Sequence, residues 1–295
     1  MPARAYAYLI LTTLLWGGNA VAGKLAVGHV SPMFLNLVRW MLAFLAVLAV
    51  SLPQIRADWP LLRRHWLLLL ALGAIGFTAF NGFLYSAVQY TSVVNAVIEQ
   101  GGVPVVIFLL NFLLFRVPVS ALQIIGFSIS FVGVAITAGH GDLKSLLSLT
   151  LNFGDLLMLL GVLCYSVYTV ALRFKPPVHW KSLMAATALG AILAGIPLLV
   201  FEAAAGRMVT PDGFGLLLIL YTGLLPALVS QILYIRGVDI IGPNRAGLFV
   251  NLVPVFGTIL SVLLVGEDLH LFHVVALTLV LGGIAIAELG KGRRT

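Results

Sequence analysis

The chain has 295 residues, of which 61% are apolar and only 9% charged, against about 25% charged in a soluble domain. That leaves too little polar surface to cover a soluble globule, so hydrocarbon is the expected solvent. The net charge of +7 does not imply a nucleic-acid partner, because the placement of the basic residues follows the apolar spans.

Apolar runs recur along the whole chain, each long enough for a helix to cross about 30 Å of lipid. They cover residues 6–27, 31–52, 67–88, 92–115, 120–139, 153–173, 182–202, 214–235, 244–265 and 270–289. The fold class expected is all-α integral membrane, with ten transmembrane helices. With the N-terminus inside, Arg4, Arg56, Arg63, Arg64, Arg116, Arg173, Lys175, Lys181, Arg236, Arg245, Lys291, Arg293 and Arg294 fall on the cytoplasmic side. Lys24, Lys144 and Arg207 fall outside, and Arg39 lies within a span. Thirteen against three is a positive-inside bias that predicts cytoplasmic termini and a multi-pass protein of the cell inner membrane.

Span one carries "WGGN", with Trp16 and Asn19 near its middle. "AVA" at Ala20–Ala22 resembles a signal-peptide cleavage site, but the broken apolar run and its counterpart in the second half favour a retained span. Span two contains Arg39, span three Asn81 and Tyr85. Span four reads "NAVIEQGGVPVV", an acid, two amides, a Gly pair and a proline in an apolar setting. Glu99 lies about seven residues inside it, roughly 10 Å deep at the helical rise, and Arg39 reaches a similar depth from the same face. The two could therefore pair. An acid in a span is a functional hypothesis by default, and Glu99 is expected either to neutralise Arg39 or to hold a substrate ammonium or a coupling proton. Asn95, Glu99 and Gly102 share one helical face, as do Asn244, Gly247 and Asn251 on span nine. Tyr165 and Tyr168 lie in span six, Gln231 and Tyr234 in span eight.

The chain repeats itself. "AVQYTSVVNA" from Ala87 aligns with "GVDIIGPNRA" from Gly237, "VPVVIFLLNFLLF" from Val103 with "VPVFGTILSVLLV" from Val253, and "GVAI" at Gly133 with "GIAI" at Gly283. Two five-span halves follow, 1–144 and 145–295. Five is odd, so the second half enters the membrane from the opposite side, which is the build of many secondary transporters. Pro104 and Pro254 match and are expected to bend spans four and nine within their helices, near a site between the halves. That site is expected to be lined by spans one, three, four, six, eight and nine. Aromatic walls with a few polar groups suit an amphiphilic small molecule, although amides and phenols at such depth also serve as helix–helix glue.

With "LLWGGNAVAGK", "YTSVVNA", the two "VPV" segments, "GEDL" and the Gly133 and Gly283 stretches in order, nearly the whole chain resembles two EamA-type domains of the drug/metabolite transporter superfamily. The resemblance implies a ten-helix inverted-repeat transporter, often an exporter of amino acids or other small metabolites, with aromatic and neutral amino-acid exporters as the nearest kin. Nucleobases or drugs are the alternative cargo. One departure is visible: "FRVPVS" after span four lacks the acids of "GEDLH" at Gly266–His270.

Other classes fit less well. The histidines His29, His65, His140, His179, His270 and His273 lie in or beside connections, and neither a Gly-x-Ser-x-Gly nor a His-Glu-x-x-His motif occurs, which argues against an intramembrane enzyme. A channel would want a repeated ring of like polar groups. Cys164 is the only cysteine, so no disulfide, thiolate metal site or cofactor is expected. No nucleotide-binding motif is present. The expected partners are a small-molecule substrate, the lipid bilayer and protons, with no nucleic acid.

Overall fold

Lipid offers a peptide group no hydrogen-bond partner, so a spanning segment must satisfy its backbone internally. The computed structural model describes residues 2–117, 120–142, 152–242, 246–247 and 249–290, and among these every regular element is a helix. Helices run as α1 (Pro2–Leu25), α2 (Pro32–Ala49), α3 (Leu52–Arg64), α4 (Trp66–Gly73), α5 (Phe80–Ala87), α6 (Val93–Gln100), α7 (Val103–Phe115) and α8 (Ala121–Ala138). The second half continues with α9 (Phe153–Ala171), α10 (Trp180–Ala204), α11 (Gly213–Leu224), α12 (Ser230–Ile241), α13 (Val253–Leu264) and α14 (Leu271–Leu289). Among the described residues nine segments are long and apolar enough to cross a membrane, and the shorter Val250–Leu264 makes ten. The expected start of span nine, with Asn244 and Arg245, lies outside the described residues, as do Lys144, Lys291, Arg293, Arg294 and the expected 144/145 boundary.

Two ends of the bundle can be defined by the bonds that tie connections together. At the far end, opposite the start of α1, the Ser31 N–H donates to Val209 O and its hydroxyl to Glu202 at 2.5 Å. At the near end the His179 N–H donates to Asp58 at 2.9 Å, and Lys181 Nζ to Val50 O at 3.2 Å.

Spans four and nine depart from the expected bend. Each is broken rather than kinked. α6 stops at Gln100, turns through Gly101–Gly102, and α7 restarts at Val103, with Pro104 in its first turn. Span nine passes through a 3₁₀ turn, Val250–Leu252, before α13 starts with Pro254 in the same place. A first-turn proline lacks an N–H that would have no intrahelical partner anyway, so it starts a helix at no cost where mid-helix it would break one. α3 is also absent from the sequence expectation, which placed a plain connection there.

Glycines set the closest crossings. A Cβ on Gly17 would lie 2.7 Å from the Gly257 backbone, and one on Gly257 would lie 2.6 Å from Val97, so α1, α13 and α6 meet with little between them. α8 and α14 pair the same way: a Cβ on Gly126 would come within 2.4 Å of Gly283 O. Small residues at such crossings let backbones approach in lipid, where apolar burial offers no drive.

Candidate functional site

Spans three and eight each contain a short π-helical turn, Ala74–Ala79 between α4 and α5 and Leu225–Val229 between α11 and α12. The widened turn in span three presents backbone carbonyls to side-chain amides. Asn81 Nδ2 donates to Phe77 O and Asn36 Nδ2 to Thr78 O, both at 2.8 Å. π turns of this kind occur often at functional sites.

Next to the first of them lies a buried polar knot. Arg39 Nη1 donates to Asn19 Oδ1 at 2.9 Å, to Asn81 Oδ1 at 2.8 Å and to the Tyr85 hydroxyl. Tyr85 Oη in turn donates to Asn19 Oδ1 at 2.7 Å, and Asn19 Nδ2 to Asn81 Oδ1 at 3.2 Å. The guanidinium also lies 5.1 Å from the Trp40 ring centroid and 5.6 Å from that of Tyr85. Among the described residues all its oxygen partners are neutral and its Nε has no partner, and it is only 3% exposed.

The expected Arg39–Glu99 ion pair is therefore not formed. Glu99 is fully buried, and among the described residues neither of its oxygens has a hydrogen-bond partner. Equal depth placed Arg39 and Glu99 at one level, but the helices turn them in different directions. α2 points Arg39 toward α1 and α5. α6 puts Glu99 on the face it shares with Asn95, whose partners lie elsewhere.

Asn95 belongs to a second cluster toward the far end. Its Nδ2 donates to His140 Nε2 at 3.1 Å and its Oδ1 accepts from His273 Nε2 at 2.9 Å. His140 Nδ1 lies 3.5 Å from Asp155, which accepts from the Thr91 hydroxyl at 2.5 Å. Glu267 closes the cluster's rim. Its carboxylate accepts the N–H groups of Val93 and Val94 at 2.8 and 3.0 Å, and so caps α6 from the other half.

The aromatic candidates form a separate wall. Trp40 stacks on Phe77 at 4.2 Å, Phe77 meets Tyr168 at 5.6 Å, and Tyr168 meets Tyr165, itself 4.9 Å from Phe80. Trp16 meets Tyr234 at 5.5 Å. Trp16, Tyr165, Tyr168 and Tyr234 are half-buried, as are Gln231 beyond the second π turn and Asn251 in the 3₁₀ turn. Neither of these amides makes a hydrogen bond to a described residue.

The structure thus brings Asn19, Asn81 and Tyr85 together on Arg39, and Tyr165 and Tyr168 onto one aromatic row. It leaves Glu99 alone, and sets Asn95, Gln231 and Asn251 apart from the knot. Sequence reasoning missed Trp40, Phe77, Asp155 and the inward roles of His140 and His273. It also missed Tyr221, whose hydroxyl rests where a Cβ on Gly18 would lie. Asp155 carried a signal, an acid at the start of an apolar span.

Comparison with known proteins gives a single direction. The model of the EamA-like transporter family matches twice, at residues 3–139 and 152–289. The chain is 24% identical to the uncharacterized transporter YyaM of Bacillus subtilis (strain 168), over 96% of this chain and 93% of that one. It is 26% identical to the uncharacterized inner membrane transporter YedA of Escherichia coli (strain K12), over 94% and 88%. A protein crystal structure at 19% identity superposes with a TM-score of 0.65 over 99% of both chains, a likeness of fold.

Proposed function

The chain belongs to the EamA-like transporter family, and from that premise we propose that it exports neutral or aromatic amino acids across the inner membrane by alternating access. The observation that carries this reading is a buried guanidinium and a buried carboxyl group that do not pair with each other. Among the described residues Arg39 has only neutral partners and Glu99 has none. Leaving an ion buried without a countercharge is expensive, and a zwitterion carries a group of the complementary kind for each. Its carboxylate would meet Arg39, the one guanidinium buried among the described residues. Its ammonium would meet Glu99. The half-buried Tyr165 and Tyr168 of the aromatic row, together with the Trp16–Tyr234 pair, would take an apolar or aromatic side chain. Both charged groups are sealed in this conformation, so the halves, read as 1–144 and 145–295, must move against each other to expose them.

The distribution of basic residues favours a cytoplasmic near end. Arg4, Arg56, Arg63, Arg64, Arg116, Arg173, Lys175, Lys181 and Arg236 lie toward it, and Lys24 and Arg207 toward the far end. Glu99 is also the group on which a coupling proton would travel. With neither solvent nor partner, its carboxylate would bear the full desolvation cost of an ion, which a bound proton removes.

The test is counterflow in proteoliposomes, with and without a pH gradient, over a panel of amino acids, nucleobases and lipophilic cations. Exchange of aromatic or neutral amino acids, lost when the substrate amine is acetylated or its carboxylate amidated, is expected. Exchange of nucleobases or lipophilic cations alone would overturn the amino-acid assignment, and the aromatic row would then account for the cargo.

A further inference from the structure

α3 joins spans two and three at the near end, and its residues divide into two faces. Ile55, Trp59 and Leu62, continued by Trp66, recur at helical spacing and turn toward α2 and α10. Together with Phe44 and Ala186 they line an apolar cavity of about 350 Å³, large enough for a small-molecule-sized ligand. The cavity lies off the site above: it touches neither the Arg39 knot nor Glu99. Trp59 and Trp66 are 59% and 54% exposed, as aromatic side chains are where a bilayer meets water.

The rim is cationic. Arg63 lines the cavity, and Arg56 and Arg64 lie on the same helix. The one acid of α3, Asp58, is engaged by the backbone N–H of His179 at 2.9 Å. Among the described residues, none of the three arginines has an acidic partner. An apolar slot under an uncompensated basic rim at the membrane surface is complementary to an anionic amphiphile. Basic residues at that level attract anionic lipid headgroups, and the bilayer supplies such lipid at every moment.

We propose that this cavity is a binding site for an anionic phospholipid, with an acyl chain between α2, α3 and α10 and the phosphate on Arg63. The lipid would fasten α3 to the bundle, and through Phe44 it would touch the helix that carries Arg39. The proposal does not depend on the cargo assigned above.

The experiment uses the full chain purified in mild detergent, offered equimolar dioleoyl phosphatidylglycerol and dioleoyl phosphatidylcholine, with bound lipid counted by native mass spectrometry. Preferential retention of phosphatidylglycerol is expected. Arg63→Gln, at an exposed position, should lower that preference about fivefold, the equivalent of one basic residue at a lipid surface. Ala186→Phe, which fills the slot, should reduce retention of phosphatidylglycerol while thermal unfolding shows the protein folded. Equal retention of the two lipids would overturn the proposal. So would a phosphatidylglycerol preference that survives both substitutions, or displacement of all lipid by an aromatic amino acid or lipophilic cation, which would give the slot to a small amphiphile.

Discussion

The first and second matches to the family model share backbone devices and differ in what they hang on them. Span three and span eight each widen into a π turn, and spans four and nine each restart at a Val-Pro pair. At the 150-residue offset of the repeated segments, Arg39 corresponds in sequence to Leu189, Asn81 to Gln231, and Glu99 to Phe249. Glu267 caps α6 across the interface, whereas the matching residue in the first half is Val117, which has no carboxylate. A helix restart or a π turn is a backbone solution that recurs in both halves. A buried charge is a chemical commitment, and one copy of each is enough. The lesson is that the backbone devices repeat between the two matches, whereas the buried ionisable groups do not.

Four experiments would break or sharpen that contrast. The largest effect is expected at the glycines just before the π turns. A Cβ on Gly73 would lie 1.8 Å from Thr187 O, a backbone atom that cannot swing away, whereas one on its counterpart Gly223 would lie 3.1 Å from Arg39 O. Gly73→Ala should cost more than about 4 kcal/mol or prevent folding, and Gly223→Ala about 1 kcal/mol. Similar melting temperatures for the two variants would show that the turns are equally constrained.

Next is Arg39. Arg39→Gln removes the cation that Asn19, Asn81 and Tyr85 converge on, and should destabilise by about 3 kcal/mol, the scale of lost hydrogen bonds to a charged group. Leu189, in contrast, is 39% exposed, and Leu189→Ala should change the melting temperature little. A neutral Arg39→Gln in thermal unfolding would mean that the knot is not a structural unit.

Glu99 separates transport from stability. Because it has no partner to abandon, Glu99→Gln should melt at or above the wild-type temperature while substrate exchange falls at least about tenfold, or 1.4 kcal/mol of lost stabilisation. Had it been paired with Arg39, the same change would have cost about 3–5 kcal/mol of stability. A destabilised variant with full exchange would return Glu99 to a structural role.

The smallest effect concerns the far-end cap of α11. Asp212 accepts the Gly215 N–H at 2.8 Å and contacts His29 Nδ1 at 2.7 Å, and these bonds hold its carboxyl below the usual carboxylate range. A lowered folded-state value means that the stabilisation is complete at neutral pH and fades as pH falls through that value, below about 4. Asp212→Ala should lower the melting temperature slightly at pH 7, and by less as the pH is taken down through the carboxylate range. A difference that does not shrink on acidification would point to a contribution other than the ionised cap.

Hydropathy and charge placement decided much of this protein directly from its sequence. Lipid forces satisfied backbones, so each apolar run of about 20 residues had one solution, and the duplicated "VPV" segments marked where spans four and nine change course. What the prolines do there was not legible, because the residue type is equally at home in a kink and in the first turn of a new helix, and only the packing of α1, α6 and α13 around Gly17, Gly257 and Val97 selects the break. The π turns left no sequence mark, since the carbonyls they present are taken by Asn81 on the same span and by Asn36 on another helix. Depth could be counted along each span, and it put Arg39 and Glu99 level. Azimuth could not, because the direction a side chain faces in a bundle depends on how its helix is rotated against its neighbours. That rotation, set by small-residue contacts between distant parts of the chain, gave Arg39 three neutral oxygens and Glu99 none.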